Sequence, residues 1–257
     1  MTTIREQFLD IAGARVYVKS WTPEPATGVP LVLLHDSLGC VELWRDFPSR
    51  LADHLGRQVI AYDRPGFGQS SARHELPSRD FIRKEAEDVF PELCRALGLG
   101  QYSLFGHSVG GAMALEIAAQ DPDGCQVVIT EAAQAFVEQR TLEGIRQAGG
   151  GFKDPAQFSR LGRYHGDKAR WVLAAWTDTW LSPGFADWSL EPVLTEVHCP
   201  VLAIHGDQDE YGSLAFPERI TKGVSGPSRQ VVLEGCGHVP HRERPEAVLE
   251  AITKFID

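Results

Sequence analysis

The side chains with the most chemistry in them are one serine, a pair of aspartates and one histidine, spread far apart in a chain of 257 residues. Ser108 sits in Gly106-His107-Ser108-Val109-Gly110-Gly111, between an apolar, strand-like run (Tyr102 to Phe105) and an alanine-rich helical stretch reaching about Gln120. A Cβ at Gly106 or Gly110 would meet the adjoining backbone, so glycine permits a turn sharp enough to push Oγ clear of the strand tip. The free N–H groups of the following helix favour negative charge at that point. A serine hydroxyl becomes a nucleophile only when a base takes its proton and an acid orients that base. The candidates are His205-Gly206-Asp207-Gln208-Asp209 and Glu234-Gly235-Cys236-Gly237-His238. Asp209 lies 101 residues after Ser108, and His238 a further 29 along.

Elements able to bring these groups together are legible in the hydropathy pattern. Phe8 to Trp21 alternates around a Gly13 turn, as a hairpin does. Leu31–Leu34 is a short, wholly apolar run, the mark of a strand buried on both faces of a parallel sheet. Val127–Thr130 reads as another short buried strand, and Gln58–Tyr62, Tyr102–Phe105, Val201–Ile204 and Gln230–Leu233 as further strands. Helical patterns over 43–55, 78–97, 109–120 and 245–255 alternate with them. Such alternation predicts an α/β class protein with a doubly wound, mostly parallel sheet of about eight strands. The pattern breaks over 134–190, where amphipathic helical stretches, a flexible Gly149-Gly150-Gly151 and four of the six tryptophans occur. The expected organisation is a core of 1–133 and 191–257, interrupted by a helical insertion at 134–190.

Bulk properties exclude several functions. The net charge is −10 and no Lys/Arg run exists, which argues against a nucleic-acid partner. No apolar run approaches the roughly 18 residues of a membrane span, and Met1–Asp10 lacks the apolar core of a signal peptide. Cys40, Cys94, Cys125, Cys199 and Cys236 are scattered without metal-site spacing. They read as reduced thiols, which predicts a cytoplasmic protein that needs no metal.

Five motifs in order resemble the α/β-hydrolase superfamily in its serine-nucleophile branch, over nearly the whole chain. They are His35-Asp36-Ser37-Leu38-Gly39, Asp63-Arg64-Pro65-Gly66-Phe67-Gly68-Gln69-Ser70, Gly106 to Gly111, Gly206-Asp207-Gln208-Asp209, and Gly237-His238. The order nucleophile, acid, histidine is that of the superfamily. The resemblance implies Ser108 as nucleophile, His238 as general base and Asp209 as orienting acid, with no cofactor. It implies backbone N–H donors at Val109 and Ser37 for the oxyanion. Asp36 stands where glycine is usual, and is expected to point away and brace its loop. His35 and Asp63 read as loop braces, and His107 as packing or a structural hydrogen bond. Asp207 and Glu131 are rivals to Asp209 for the acid, and His241 reads as a surface residue.

The same resemblance makes 134–190 a helical cap over the serine. Its seven basic residues nearly match its six acidic ones, and none clusters as a clamp, so charged substrates are expected to be poor. Its large rings, with Trp176, Trp180 and Phe136 as the candidates for substrate contact, favour a small apolar or aromatic substrate. The implied function is cleavage of a carboxylic ester or related acyl bond through an acyl-enzyme. Alternatives are hydrolysis of a carbon–carbon bond in ring-cleavage products, a cofactor-free haloperoxidase-like activity and, from another class, a non-catalytic small-ligand receptor. The oligomeric state is left open.

Overall fold

The computed structural model describes residues 1–256. Its strands are β1 (Thr3–Ile11), β2 (Ala14–Thr22), β3 (Leu31–Leu34), β4 (Val59–Tyr62), β5 (Tyr102–His107), β6 (Cys125–Glu131), β7 (Val201–Gly206) and β8 (Ser228–Leu233). They form one eight-stranded sheet in the order β1-β2-β4-β3-β5-β6-β7-β8, the α/β-hydrolase fold. β1 and β2 pair antiparallel, as does β2 with β4, and every other pair is parallel.

The side-chain period of two explains the continuous apolar runs. Val32, Leu34, Ile60, Tyr62 and Leu104 pack on one face, under the helix Val109–Gln120 and the helical segment 81–97. Leu31, Leu33, Val59, Ala61 and Phe105 pack on the other, under the helices Phe47–Leu55 and Pro245–Ile256. β3, β4, β5 and β7 are buried at every position, which only helices on both faces can achieve. Crossover connections send each parallel strand the same way, so the loops carrying the sequence motifs gather at one edge.

Two helices depart from the pattern read in the sequence. The stretch 81–97 is a helix Phe81–Lys84, a π-helical turn Glu85–Val89 and a second helix Phe90–Leu97. Pro91 has no N–H for the carbonyl four residues back, and the buried Glu85 is drawn inward by the Tyr62 hydroxyl, which donates to it at 2.6 Å. Gly149-Gly150-Gly151 is the last turn of the helix Gln139–Gly151 rather than a flexible joint. That helix lies against the helix Ala169–Trp180, and a Cβ at Gly149 would come 3.0 Å from the Thr177 methyl. Close packing outweighs glycine's poor helix propensity there.

Between β6 and β7 the chain leaves the sheet and forms the helices Gln139–Gly151, Pro155–His165, Ala169–Trp180 and Glu191–Leu194. This segment is tied to the core. Lys168 Nζ donates to the carbonyls of Gly68 and Ser70 at 2.6 and 2.7 Å, and His165 Nδ1 accepts the Gly68 N–H at 2.9 Å. Gly66, at φ 96°, lies under the Trp171 ring so closely that any Cβ would overlap it.

Candidate active site

Ser108 has φ 57° and ψ −126°, a strained combination for a residue with a Cβ. A Cβ on Gly106 would overlap the Gly110 carbonyl, and one on Gly110 would overlap the Leu34 carbonyl. The turn is locked by Ser108 N–H donating to the Glu131 carbonyl (2.8 Å) and Gly111 N–H donating to the Ser108 carbonyl (2.9 Å).

His238, on the loop after β8, places Nε2 3.0 Å from Ser108 Oγ. Its Nδ1–H donates to Asp209, 2.8 Å from Oδ2 and 2.9 Å from Oδ1. All three side chains are buried, with Ser108 4% and Asp209 1% exposed. Burial works against the charged ring of His238, but the Asp209 carboxylate overrides it and raises the imidazole above its usual 6.5. Burial opposes the Asp209 charge too, and His238 with the backbone donors still lowers that carboxyl below 3.8. Oδ1 of Asp209 also accepts from Tyr211 N–H (2.8 Å) and Gly212 N–H (3.1 Å), which fixes its orientation. An arrangement of this kind can take a proton from Oγ and hold it as an imidazolium.

Two backbone N–H groups near the serine, those of Val109 and Ser37, are free to donate. Val109 opens its helix and so has no acceptor within it. Ser37 N–H makes no hydrogen bond to any described residue. The Asp36 carbonyl is pulled away by Arg64 Nη2 (2.8 Å) and His35 Nδ1 (2.8 Å). Because that carbonyl and Ser37 N–H belong to one planar trans peptide, the N–H must point the opposite way. Arg64 is 4% exposed and was not singled out from the sequence. His35 braces the loop, its Nε2 accepting Arg64 N–H at 3.2 Å, and burial holds this imidazole well below 6.5.

The remaining sequence candidates sort by partner. Asp63 accepts Val41 N–H and Gln69 N–H, both at 2.6 Å, and braces its turn. Asp207 accepts Gly235 N–H at 2.7 Å, joining two loops. His107 lies behind the serine and donates from Nε2 to the His238 carbonyl at 2.7 Å. His241 is buried at 4% exposure, contrary to its reading as a surface residue, because its Nδ1 pairs with Glu131 Oε2 at 2.6 Å. Burial raises the Glu131 carboxyl to about 7 and lowers His241 to about 3, so the ring is neutral. Glu131 is thus spent on His241 rather than His238. His107, Glu131 and His241 bring one ligand-capable atom each within 4.8 Å of one another, but the two hydrogen bonds just described already engage one nitrogen of each ring.

Asp36 does not brace its loop through its side chain, since its carboxylate accepts no hydrogen bond from a described residue. It folds back over Gly39, whose Cβ would overlap Oδ1, and lines two cavities. The smaller, about 70 Å³, contains Ser108, His238, Ser37, Trp176 and Trp180. Gln134, missed in the sequence, also lines it and donates from Nε2 to Ser108 Oγ at 3.2 Å. Only its place three residues beyond a strand end could have flagged it. Phe136 is not there: it packs edge-on against Phe216 at 4.9 Å, a core contact. Trp180 divides its ring between the cavity and Phe185 and Trp188. The larger cavity, about 530 Å³, shares Asp36 and Leu38 with the smaller and brings Arg160 and Arg242 together. Those two arginines lie 82 residues apart, one inside and one outside the 134–190 segment, so counting charges within that segment did not reveal the cluster.

The sheet order and the placement of the serine turn define the α/β-hydrolase class. Residues 31–251 match the model of the alpha/beta hydrolase family, and the chain belongs to that family. It is 26% identical over 254 residues to a pimeloyl-[acyl-carrier protein] methyl ester esterase of Aeromonas hydrophila, covering 89% of this chain and 96% of that one. It is 27% identical over 187 residues to the mouse serine hydrolase BPHL, covering 69% of this chain and 62% of that protein. Among solved structures, the 2-hydroxy-6-oxo-6-phenylhexa-2,4-dienoate hydrolase of a Rhodococcus superposes with a TM-score of 0.79 at 20% identity, over 100% of this chain and 99% of that one. A membrane phospholipase A superposes with a TM-score of 0.81 at 23% identity, over 99% and 86%. Likeness at these identities concerns the fold. No helix among the described residues is long and apolar enough to cross a membrane.

Proposed function

We propose that this hydrolase cleaves a carboxylic ester, or a related acyl bond, of a small molecule by a serine mechanism without a cofactor. The observation that carries the reading is the continuous chain Asp209–His238–Ser108, at 2.8 and 3.0 Å, beneath an unpartnered Ser37 N–H. Oγ attacks the carbonyl carbon as its proton passes to His238 Nε2. The N–H groups of Val109 and Ser37 receive the oxyanion, and the imidazolium protonates the leaving alcohol. Water, deprotonated by the same ring, then releases the acid. The segment 134–190 acts as a cap, and Trp176 and Trp180 give the substrate an apolar wall.

Hydrolysis of p-nitrophenyl butyrate, combined with trapping of the enzyme by a fluorophosphonate, tests this. The expected results are turnover and a single adduct on Ser108, both lost in Ser108→Ala. An adduct elsewhere, or turnover in Ser108→Ala within tenfold of wild type, sinks the proposal. A vinylogous 1,5-diketone in the same panel reads carbon–carbon bond cleavage.

A further inference from the structure

The 530 Å³ cavity has apolar walls, among them Leu43, Trp44 and Leu161, and a rim of hydrogen-bond donors. Arg160 comes from the helix Pro155–His165 and Arg242 from the short helix Pro240–Glu243. Neither forms an ion pair with a described residue. Arg160 bonds only a carbonyl of its own helix, Ala156 at 3.4 Å, and Arg242 only the Leu43 carbonyl. The Tyr164 hydroxyl and the Gln157 amide line the same space with no protein partner among the described residues. The one carboxylate lining this cavity, Asp36, also lines the neighbouring cavity that holds Ser108. Two guanidinium groups against one carboxylate give the cavity lining a net positive charge on a protein of net charge −10.

Guanidinium groups match planar and tetrahedral oxyanions better than any other side chain. From the convergence of Arg160 and Arg242 with two spare neutral donors, we infer that this cavity binds an anionic oxygen group, a carboxylate or phosphate, at the end of the substrate remote from the scissile bond. The apolar walls take the intervening chain or ring, and Asp36 sets a boundary that repels the anion from the serine. The inference rests on the ester-hydrolase reading for its substrate, but not for the binding itself.

Two measurements keep the two ideas separable. The first compares kcat/KM for the p-nitrophenyl monoester of adipic acid with that for its ω-carbamoyl analogue, which has the same length without the charge. Wild type is expected to favour the carboxylate at least tenfold in 20 mM salt, chiefly through KM, and to lose most of that preference at 0.5 M. Arg160→Gln combined with Arg242→Gln is expected to bring the ratio to about one, and Arg160→Lys to restore part of it. The second measurement is thermal stabilisation of the protein by adipate, by hexyl phosphate and by neutral adipamide. The expected result is a rise with one or both anions, absent with adipamide and absent in the double variant, and the larger rise identifies the preferred anion. If no ester is turned over but the arginine-dependent stabilisation is seen, the ester reading falls and the anion site stands. Equal turnover of the charged and neutral esters, with no stabilisation by either anion, overturns the inference.

Discussion

Replacing Asp209 by asparagine should cripple the enzyme while leaving its fold in place, and the structure says which atom does the damage. Oδ1 is held by two backbone donors, Tyr211 N–H at 2.8 Å and Gly212 N–H at 3.1 Å. In Asp209→Asn those donors select the amide oxygen for that position, because an NH₂ there would face two N–H groups. The NH₂ is then left where Oδ2 stood, 2.8 Å from His238 Nδ1. It can only donate, and although the amide oxygen stays 2.9 Å from Nδ1, donation from the nearer NH₂ favours Nδ1 as an acceptor with the ring proton on Nε2. That nitrogen faces Ser108 Oγ at 3.0 Å and can no longer take its proton. The loss of both the tautomer and the charge opposite the imidazolium corresponds to on the order of 10⁴ in kcat, or about 5.5 kcal/mol of transition-state stabilisation. The assay is kcat for p-nitrophenyl butyrate at pH 8, with circular dichroism and melting temperature as the check on folding. Glu131→Gln, whose partner is His241, and Asp207→Asn, whose partner is Gly235 N–H, are expected within tenfold of wild type. A folded Asp209→Asn retaining a tenth of the activity, or a Glu131→Gln as damaged as Asp209→Asn is expected to be, would refute the reasoning.

The pH–rate profile of wild type should rise through a limb above 6.5, since Asp209 raises His238 and the base must be neutral to act; a limb below 6.5 would remove Asp209 from that role. Gly110→Ala should fail to fold or lose activity entirely, because its Cβ overlaps the Leu34 carbonyl and no side-chain movement relieves a backbone clash; soluble, active protein would contradict the geometry. Trp176→Ala removes a ring lining the Ser108 cavity, and if about 60 Å² of it covers the acyl group, the loss is ~1.5 kcal/mol, or about tenfold in the preference for butyrate over acetate esters. Trp180→Ala should cost stability as well, about 3–5 kcal/mol by urea titration, since Trp180 also packs on Phe185 and Trp188. Glu131 titrates at about 7 in the folded protein against 4.5 in the unfolded chain, so the unfolded state releases its proton first as pH rises. Its contribution to stability is complete below 4.5 and is lost by about pH 7, an effect of ~3 kcal/mol that should separate wild type from Glu131→Gln in urea midpoints taken across that range.

What the sequence could disclose follows from the range of the interactions concerned. β3, β4, β5 and β7 are buried on both faces, so each is a plain apolar run, and its neighbours are implied by chain order. The serine turn was readable because its requirement is local: Gly106 and Gly110 lie within two residues of the strained Ser108. Side-chain partners across the fold were not readable in the same way. Nothing near His241 in sequence announces the buried Glu131 that draws it inward, and an aromatic at Phe136 carries no mark of whether it faces a substrate or Phe216. Arg64 belongs to a recognisable turn, but its part in aiming Ser37 N–H appears only once the His35 and Asp36 carbonyls are seen in front of it.

The same distinction accounts for the charge of the outer cavity. Summed along 134–190 the charges nearly cancel, and by that measure the segment has no affinity for anions. A binding site, however, responds to the charges that converge within a Debye length, about 8–10 Å, and not to those adjacent in the chain. Folding brings Arg242, which follows the catalytic-type histidine by four residues, to the same rim as Arg160 on the 134–190 helices. Acidic residues of that segment face elsewhere: Asp154 caps its own helix through Ala156 N–H, and Asp187 pairs with Arg79. Through Arg160, a segment neutral in composition can therefore add to a positive surface that it does not carry alone, and the anion preference proposed above rests on that local excess.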